Sequence, residues 1–290
     1  MPGERTAANP SYKLEGEQAR TQPAGSRSWR PTPVISLSFA LHGAAGALAL
    51  IAPPLWPWAL GAVAANHMVL TGLSLWPSSS LLGPNLVRLP PAAVRRREIA
   101  LTFDDGPDPE VTPRVLDLLD AAGARASFFC IGWRARQHPA LLREIVARGH
   151  RVENHGDRHS KAFGLYGYRG MRADIGAAQA TFADLTGQSP RFFRPLGGVR
   201  SPILDPVLAR LDLRLASWTR RGFDSVVGDP QRVYERLLRG LAPGDILLLH
   251  DGNVARTQAG APVSLEVLPR LLAAMGEAQV RSVTLVDAVA

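Results

Sequence analysis

The sequence predicts an α/β domain built on a parallel sheet and preceded by a two-helix membrane hairpin. Three observations carry this reading. Between Pro31 and Val87 no Asp, Glu, Lys or Arg occurs. From Glu98 onward, short apolar runs alternate with helical stretches. The polar residues suited to catalysis gather just after those runs, at the edge where parallel α/β sheets assemble ligand sites.

Composition narrows the function classes first. The chain has 290 residues, is 46% hydrophobic and only 20% charged, and can bury a large core. Its formal net charge is +8. No basic helix, zinc-finger spacing or basic–aromatic interleaving accompanies that charge, so nucleic acid is not an expected partner. The single cysteine, Cys130, lies in the apolar run Ala126–Ile131, where a thiol packs as a small hydrophobe. One cysteine also excludes a disulfide framework and a thiolate metal cluster.

Taken in order, residues 1–30 are polar, with Pro, Gly, Ser and scattered Arg, and read as a disordered tail. The charge-free stretch breaks at Pro53-Pro54-Leu55-Trp56-Pro57 into spans of about 34–52 and 58–76. Each approaches the ~20 residues a helix needs to cross a bilayer. Trp56, Trp58 and Trp76 stand at the ends, where indole rings favour the interface. A signal peptide fits less well, because thirty residues precede the first span. A soluble buried hairpin also competes, because His42, Asn66 and His67 interrupt the apolar faces. Arginines flank both ends of residues 31–87, at Arg20, Arg27, Arg30, Arg88 and Arg95–Arg97. A two-span hairpin with positive ends sits in the inner (cytoplasmic) membrane with the following domain in the cytoplasm. Residues 88–97 read as a basic linker.

Strands are expected at Ile99–Phe103, Ala126–Ile131, His150–Glu153, Leu213–Trp218, Asp245–Leu249 and Ser282–Val286. Helices are expected at Pro113–Ala122 and Pro139–Arg148, closing at Gly123 and Gly149, as helix C-termini prefer. Further helices fall near Ala173–Leu185, Pro202–Leu211, Pro230–Gly240 and Leu265–Gln279. Repeated βα units of this size imply a doubly wound sheet or a barrel.

Five polar clusters follow those strands. Asp104 and Asp105 lie side by side after the first, a repulsive pair that a cation or an arginine would relieve. The same residues before Gly106-Pro107 could simply begin a turn. His155 and His159 are four apart; on a helical turn both imidazoles would face one ion, with Asp105 as an oxygen ligand. Two histidines and one carboxylate leave positions for water and substrate. Arg194 and Asp224 stand after two more runs, and His250 ends a buried one, where a histidine can act as a general acid.

The order and spacing of these clusters resemble the polysaccharide deacetylase (NodB-like) family of carbohydrate esterases over roughly residues 98–288. The motifs in question are Thr102–Pro107, His155/His159, Arg194–Gly198, Arg221–Ser225 and Leu247–Asp251. The resemblance implies an irregular (β/α) barrel and removal of an N-acyl group, acetyl or formyl, from an amino sugar. It implies one divalent ion, Zn²⁺ or alternatively Co²⁺ or Ni²⁺, on Asp105, His155 and His159. Asp104 would be the catalytic base paired with Arg194, and His250 the acid oriented by Asp224. Gly197 would offer its backbone N–H to the oxyanion. Three positions depart from the family pattern: Gly156 replaces a Ser or Thr, Gly197 replaces a Tyr, and the fourth motif keeps Asp224 but loses another Asp and a Trp. Those changes border the substrate. With the hairpin, they direct attention to a lipid-linked saccharide and to membrane lipid as a partner. A catalytically decayed, membrane-anchored carbohydrate-binding or scaffold protein is the competing expectation. A two-metal phosphoesterase has too few ligands here.

Overall fold

The computed structural model describes residues 27–290, so the tail expected over 1–30 falls almost entirely outside the described residues. Two helices come first, α1 (Pro33–Ile51) and α2 (Trp56–Ser74). A 3₁₀ turn at Pro53–Leu55 joins them, and they pack side by side. Thr32 caps α1 by accepting from the Ile35 N–H, and prolines start both helices, where a missing N–H costs nothing. Among the described residues α1 alone is long and apolar enough to cross a membrane. The equally long α2 carries Asn66 and His67 and falls short of that standard, so the structure gives one span candidate where two were expected.

After α3 (Pro91–Arg95) the βα alternation runs β1 (Glu98–Asp104), α4 (Thr112–Ala121), β2 (Ala126–Cys130), α5 (Gly132–Gln137), α6 (Pro139–Ala147) and β3 (Arg151–Asn154). It continues through α7 (Tyr168–Thr186), β4 (Phe192–Phe193), α8 (Leu204–Arg210), β5 (Arg214–Leu215), β6 (Arg220–Arg221) and α9 (Pro230–Leu238). β7 (Ile246–His250), α10 (Val263–Glu277), β8 (Arg281–Ser282) and α11 (Leu285–Val289) complete the chain.

The sheet is parallel throughout, in the order β5-β4-β3-β2-β1-β7-β6, with β8 added beside the start of β1. Strands β5 and β6 end the order without pairing, so the sheet curls but does not close as a full barrel. Every residue of β1, β2 and β7 is buried, as parallel strands covered on both faces require. Phe103 and Phe128 stack with ring centres 5.1 Å apart inside the main core.

Four expectations need correction. The strand expected over Ser282–Val286 stops at Ser282; Thr284 accepts from the Asp287 N–H and opens α11 instead. The strand expected over Leu213–Trp218 pairs in the sheet only at Arg214–Leu215, and Ala216 then bridges to Leu86. The segment expected as a basic linker, 88–97, is built into the domain: Leu89 donates its N–H to the Gly244 carbonyl and Arg88 pairs with Asp245 at 2.8 Å. Finally, His155 and His159 do not share a helical turn. They flank an irregular loop in which Gly156 and His159 take φ of 83° and 52°.

Candidate active site

Sheet register assembles the site. Asp104, the last residue of β1, stands level with His250 of β7 on one side and Phe129 of β2 on the other. The clusters read from the sequence thus arrive at one edge.

Asp104 is buried, and its Oδ1 accepts from Arg194 Nη1 at 2.7 Å. Arg194 has no exposure at all. Its remaining donors are used on Thr102 Oγ1 (2.9 Å), the Ala216 carbonyl (3.2 Å) and the Ser217 carbonyl (2.9 Å), while its guanidinium lies 4.0 Å over the Phe129 ring. A planar fork with five donors suits this multiple recognition; a lysine could not reproduce it. Burial pulls the Arg194 pKa down, and Asp104 opposes that pull.

Asp105, in left-handed backbone at φ 76°, turns its carboxylate to the other side. Its Oδ1 lies 3.2 Å from His155 Nε2 and 2.8 Å from His159 Nε2. One donor atom from each of the three residues falls within 4.8 Å of the others. His155 Nδ1 donates to the Arg194 carbonyl at 2.7 Å, so in the neutral ring Nε2 is a lone pair aimed at a carboxylate. Two acceptors face each other there unless a cation or a proton sits between them. Asp105 Oδ1 and His159 Nε2 are also buried without any hydrogen-bond partner. Orphaned buried polar atoms are costly, and this donor set fits one divalent ion with open positions.

His250 is the third centre. Asp224, fully buried, accepts from the His250 backbone N–H and ring Nδ1, each at 2.7 Å. This leaves Nε2 as the ring's working nitrogen. Burial would lower the His250 pKa, but the charge and hydrogen bond of Asp224, helped by Asp104 and Asp105, raise it to about 9. Gly197 sits in a 3₁₀ turn at φ 59°, with nothing within 4 Å of where a Cβ would lie.

Several contributors carry no signal in the sequence. Asn253 donates to Asp105 Oδ2 at 3.0 Å, and Arg134 donates both to the Asp105 carbonyl (3.0 Å) and to Asn253 Oδ1 (2.8 Å). Asp174 of α7 accepts from the N–H groups of Asp157 and Arg158, holding the loop between the two histidines. A Cβ on Gly156 would come 2.7 Å from Asp174 Oδ2. The Asp174 carboxylate of α7 therefore fills the space that a side chain at position 156 would enter.

Residues 92–216 match the family model described as polysaccharide deacetylase. The chain is 35% identical over 178 residues to a peptidoglycan-N-acetylglucosamine deacetylase of Bacillus cereus, covering 60% of this chain and 81% of that protein. It belongs to the polysaccharide deacetylase family. A chitooligosaccharide deacetylase of Azorhizobium caulinodans is also 35% identical, over 53% of this chain and 73% of its own length. Among solved structures, a peptidoglycan N-acetylglucosamine deacetylase in complex with a naphthyl N-hydroxybenzamide superposes with a TM-score of 0.62 at 27% identity, over 70% of this chain and 91% of that one. The family model ends before Asp224 and His250, which join the site through their own geometry.

Proposed function

We propose that this chain is a metal-dependent hydrolase that removes an N-acyl group, acetyl or formyl, from an amino sugar. The carrying observation is the convergence of Asp105, His155 and His159 within 4.8 Å, beside the Asp104–Arg194 and His250–Asp224 pairs. The relatives named as deacetylases of peptidoglycan N-acetylglucosamine and chitooligosaccharides support the same chemistry.

In this reading Asp105, His155 and His159 hold the ion; Zn²⁺ suits a two-imidazole, one-carboxylate set, and Co²⁺ or Ni²⁺ could replace it. Bound there, the ion supplies Lewis-acid polarisation of the amide carbonyl and acidifies water. Asp104 accepts the proton of the attacking water, and Arg194 fixes the carboxylate and balances its buried charge. Gly197 would offer its backbone N–H to the developing oxyanion. His250, protonated and oriented by Asp224, gives its proton to the leaving amine.

We further propose that α1 and α2 anchor the protein in the inner membrane, with the domain on the cytoplasmic side, and that the natural substrate is lipid-linked. The apolar length of α1 and the arginines flanking the pair support this. Membrane fractionation with protease-accessibility mapping tests the orientation; a soluble chain, or cleavage only from outside the cell, would overturn it.

The decayed-binding-protein reading draws on Arg221, which stacks 4.7 Å from the Phe223 ring in the altered fourth motif. The decisive test is the purified full chain, stripped by chelator and reloaded with Zn²⁺ or Co²⁺, against a panel of N-acyl amino sugars. Metal-restored release of acetate or formate that Asp104→Asn abolishes is expected; metal binding without release from any substrate favours the binding protein.

A further inference from the structure

A cavity of about 870 Å³ lies between the α1–α2 pair and the deacetylase domain. Phe39, Leu70 and Leu75 line it from the helices, and Leu165, Val199 and Ile203 from the domain. Several of these are large apolar side chains left open: Phe39 is 62% exposed, Leu75 63% and Leu165 89%. Contiguous exposed apolar surface of this kind marks a ligand groove or a membrane contact. The volume falls near the top of the ~300–1,000 Å³ range of small-molecule sites.

The polar side chains of the cavity are mostly uncharged hydroxyls and the imidazoles of His42 and His67, and the exposed lining surface is mainly apolar. No Asp or Glu lines it. Of its two charged side chains, Arg200 is spent on the carbonyls of Ser79 and Gly83, which leaves Lys161, two residues beyond His159. The same cavity is lined by Gly197. Of the residues read as the site, Gly197 alone is in this lining, so the cavity runs from Gly197 to helix α1, the one described helix apolar enough to cross a membrane.

We propose that this cavity holds the aliphatic chain of a lipid-linked amino sugar, with the anionic linkage beside Lys161 and the acylated sugar at Gly197. The proposal rests on the deacylase reading and adds the residues that select its substrate. A hydrocarbon chain has continuous apolar surface to set against Phe39, Leu70 and Leu75, more than a glycan polymer offers.

The test uses the full chain in lipid nanodiscs with alkyl N-acetylglucosaminides from methyl to dodecyl, and a dodecyl glycoside bearing a terminal diazirine. We expect kcat/KM to rise at least about tenfold from methyl to dodecyl. Photolabelling should fall on residues 196–206 and be displaced by excess dodecyl glycoside. Val199→Trp and Thr71→Trp, which fill the cavity, should flatten the chain-length dependence and remove the label. Val69→Trp, on α2 but outside the lining, should retain both. Equal kcat/KM across the series without label at 196–206 overturns the proposal, and so does label displaced equally by plain phospholipid. If no glycoside is hydrolysed while displaceable label still falls in the cavity, the deacylase reading fails and the chain-binding site stands.

Discussion

Arg194 binds Asp104, Thr102 and two carbonyls from a position without solvent, so its removal strands a buried carboxylate. Arg194→Met should cost about 3–5 kcal/mol of stability in denaturant titrations. Combining it with Asp104→Asn should recover part of that loss, a coupling that a double-mutant cycle reads directly. At the metal ligands, His155→Ala should abolish stoichiometric zinc by elemental analysis and lower kcat/KM by at least about 10³-fold, because one change removes a ligand and a supported imidazole. His250 gives the pH dependence. Its folded pKa, about 9, exceeds the ordinary 6.5, so the folded ring holds its proton more tightly. Stability from the His250–Asp224 pair is therefore complete below about pH 6.5 and fades as pH rises towards 9. Activity should lose its acid over the same alkaline limb. Asp224→Asn should move that limb down by at least about one pH unit, since a cation at Asp105 offsets the Asp105 charge but leaves Asp224's untouched. Asp104, Arg194 and His250 are legible in the sequence because each follows a short apolar run, Ile99–Phe103, Phe192–Phe193 and Ile246–Leu249. Asn253 and Arg134 are not, since one polar residue on a loop and one on a short helix look like ordinary surface.

At the scale of elements, the loop between the two histidines is where sequence reading and structure part most instructively. An i, i+4 spacing suggests a helical turn, yet Gly156 and His159 both take positive φ, and Asp174 supplies the hydrogen bonds a helix would have supplied internally. Gly156→Ser places a side chain into left-handed backbone and against Asp174; it should weaken metal affinity about 10–100-fold in chelator competition, as disturbed outer-shell support does. The strand just before this loop carries a second titratable burden. Glu153 on β3 is fully buried, accepts from the N–H groups of Arg191 and Phe192, and is pushed up to about 7 by burial. A raised carboxyl means that the fold keeps a proton the unfolded chain releases. Its contribution is thus best below about pH 4.5 and is lost as pH rises towards 7. Thermal melts of Glu153→Gln should show a shallower decline over that window; an unchanged slope would refute the assignment. The fully buried strands β1, β2 and β7 are legible, because burial on both faces leaves short runs dominated by apolar residues. The two-residue β6 is invisible: a pair of arginines joins the sheet only through its backbone.

Across the whole molecule, the β5 edge of the sheet is continued by chain that precedes the domain. Leu86 pairs with Ala216 and accepts from the Ser217 N–H, Ser217 Oγ donates to the Pro77 carbonyl, and Arg200 donates its N–H to the Ser74 carbonyl at the end of α2. Ser217 also receives Arg194, so the stitching that joins α2 to the sheet reaches the residue that holds Asp104. Nothing in the Pro/Ser-rich stretch 77–84 announces this, because its bonds run through backbone carbonyls. A tether of loose chain would let a catalytic head swing and sample its surroundings at many heights. Here α2 is stitched to the sheet, so under the proposed anchoring the domain would keep one distance and one tilt to the membrane. Anchored in that way, it would act on sugars delivered to that height and pass over chemically identical ones held further away.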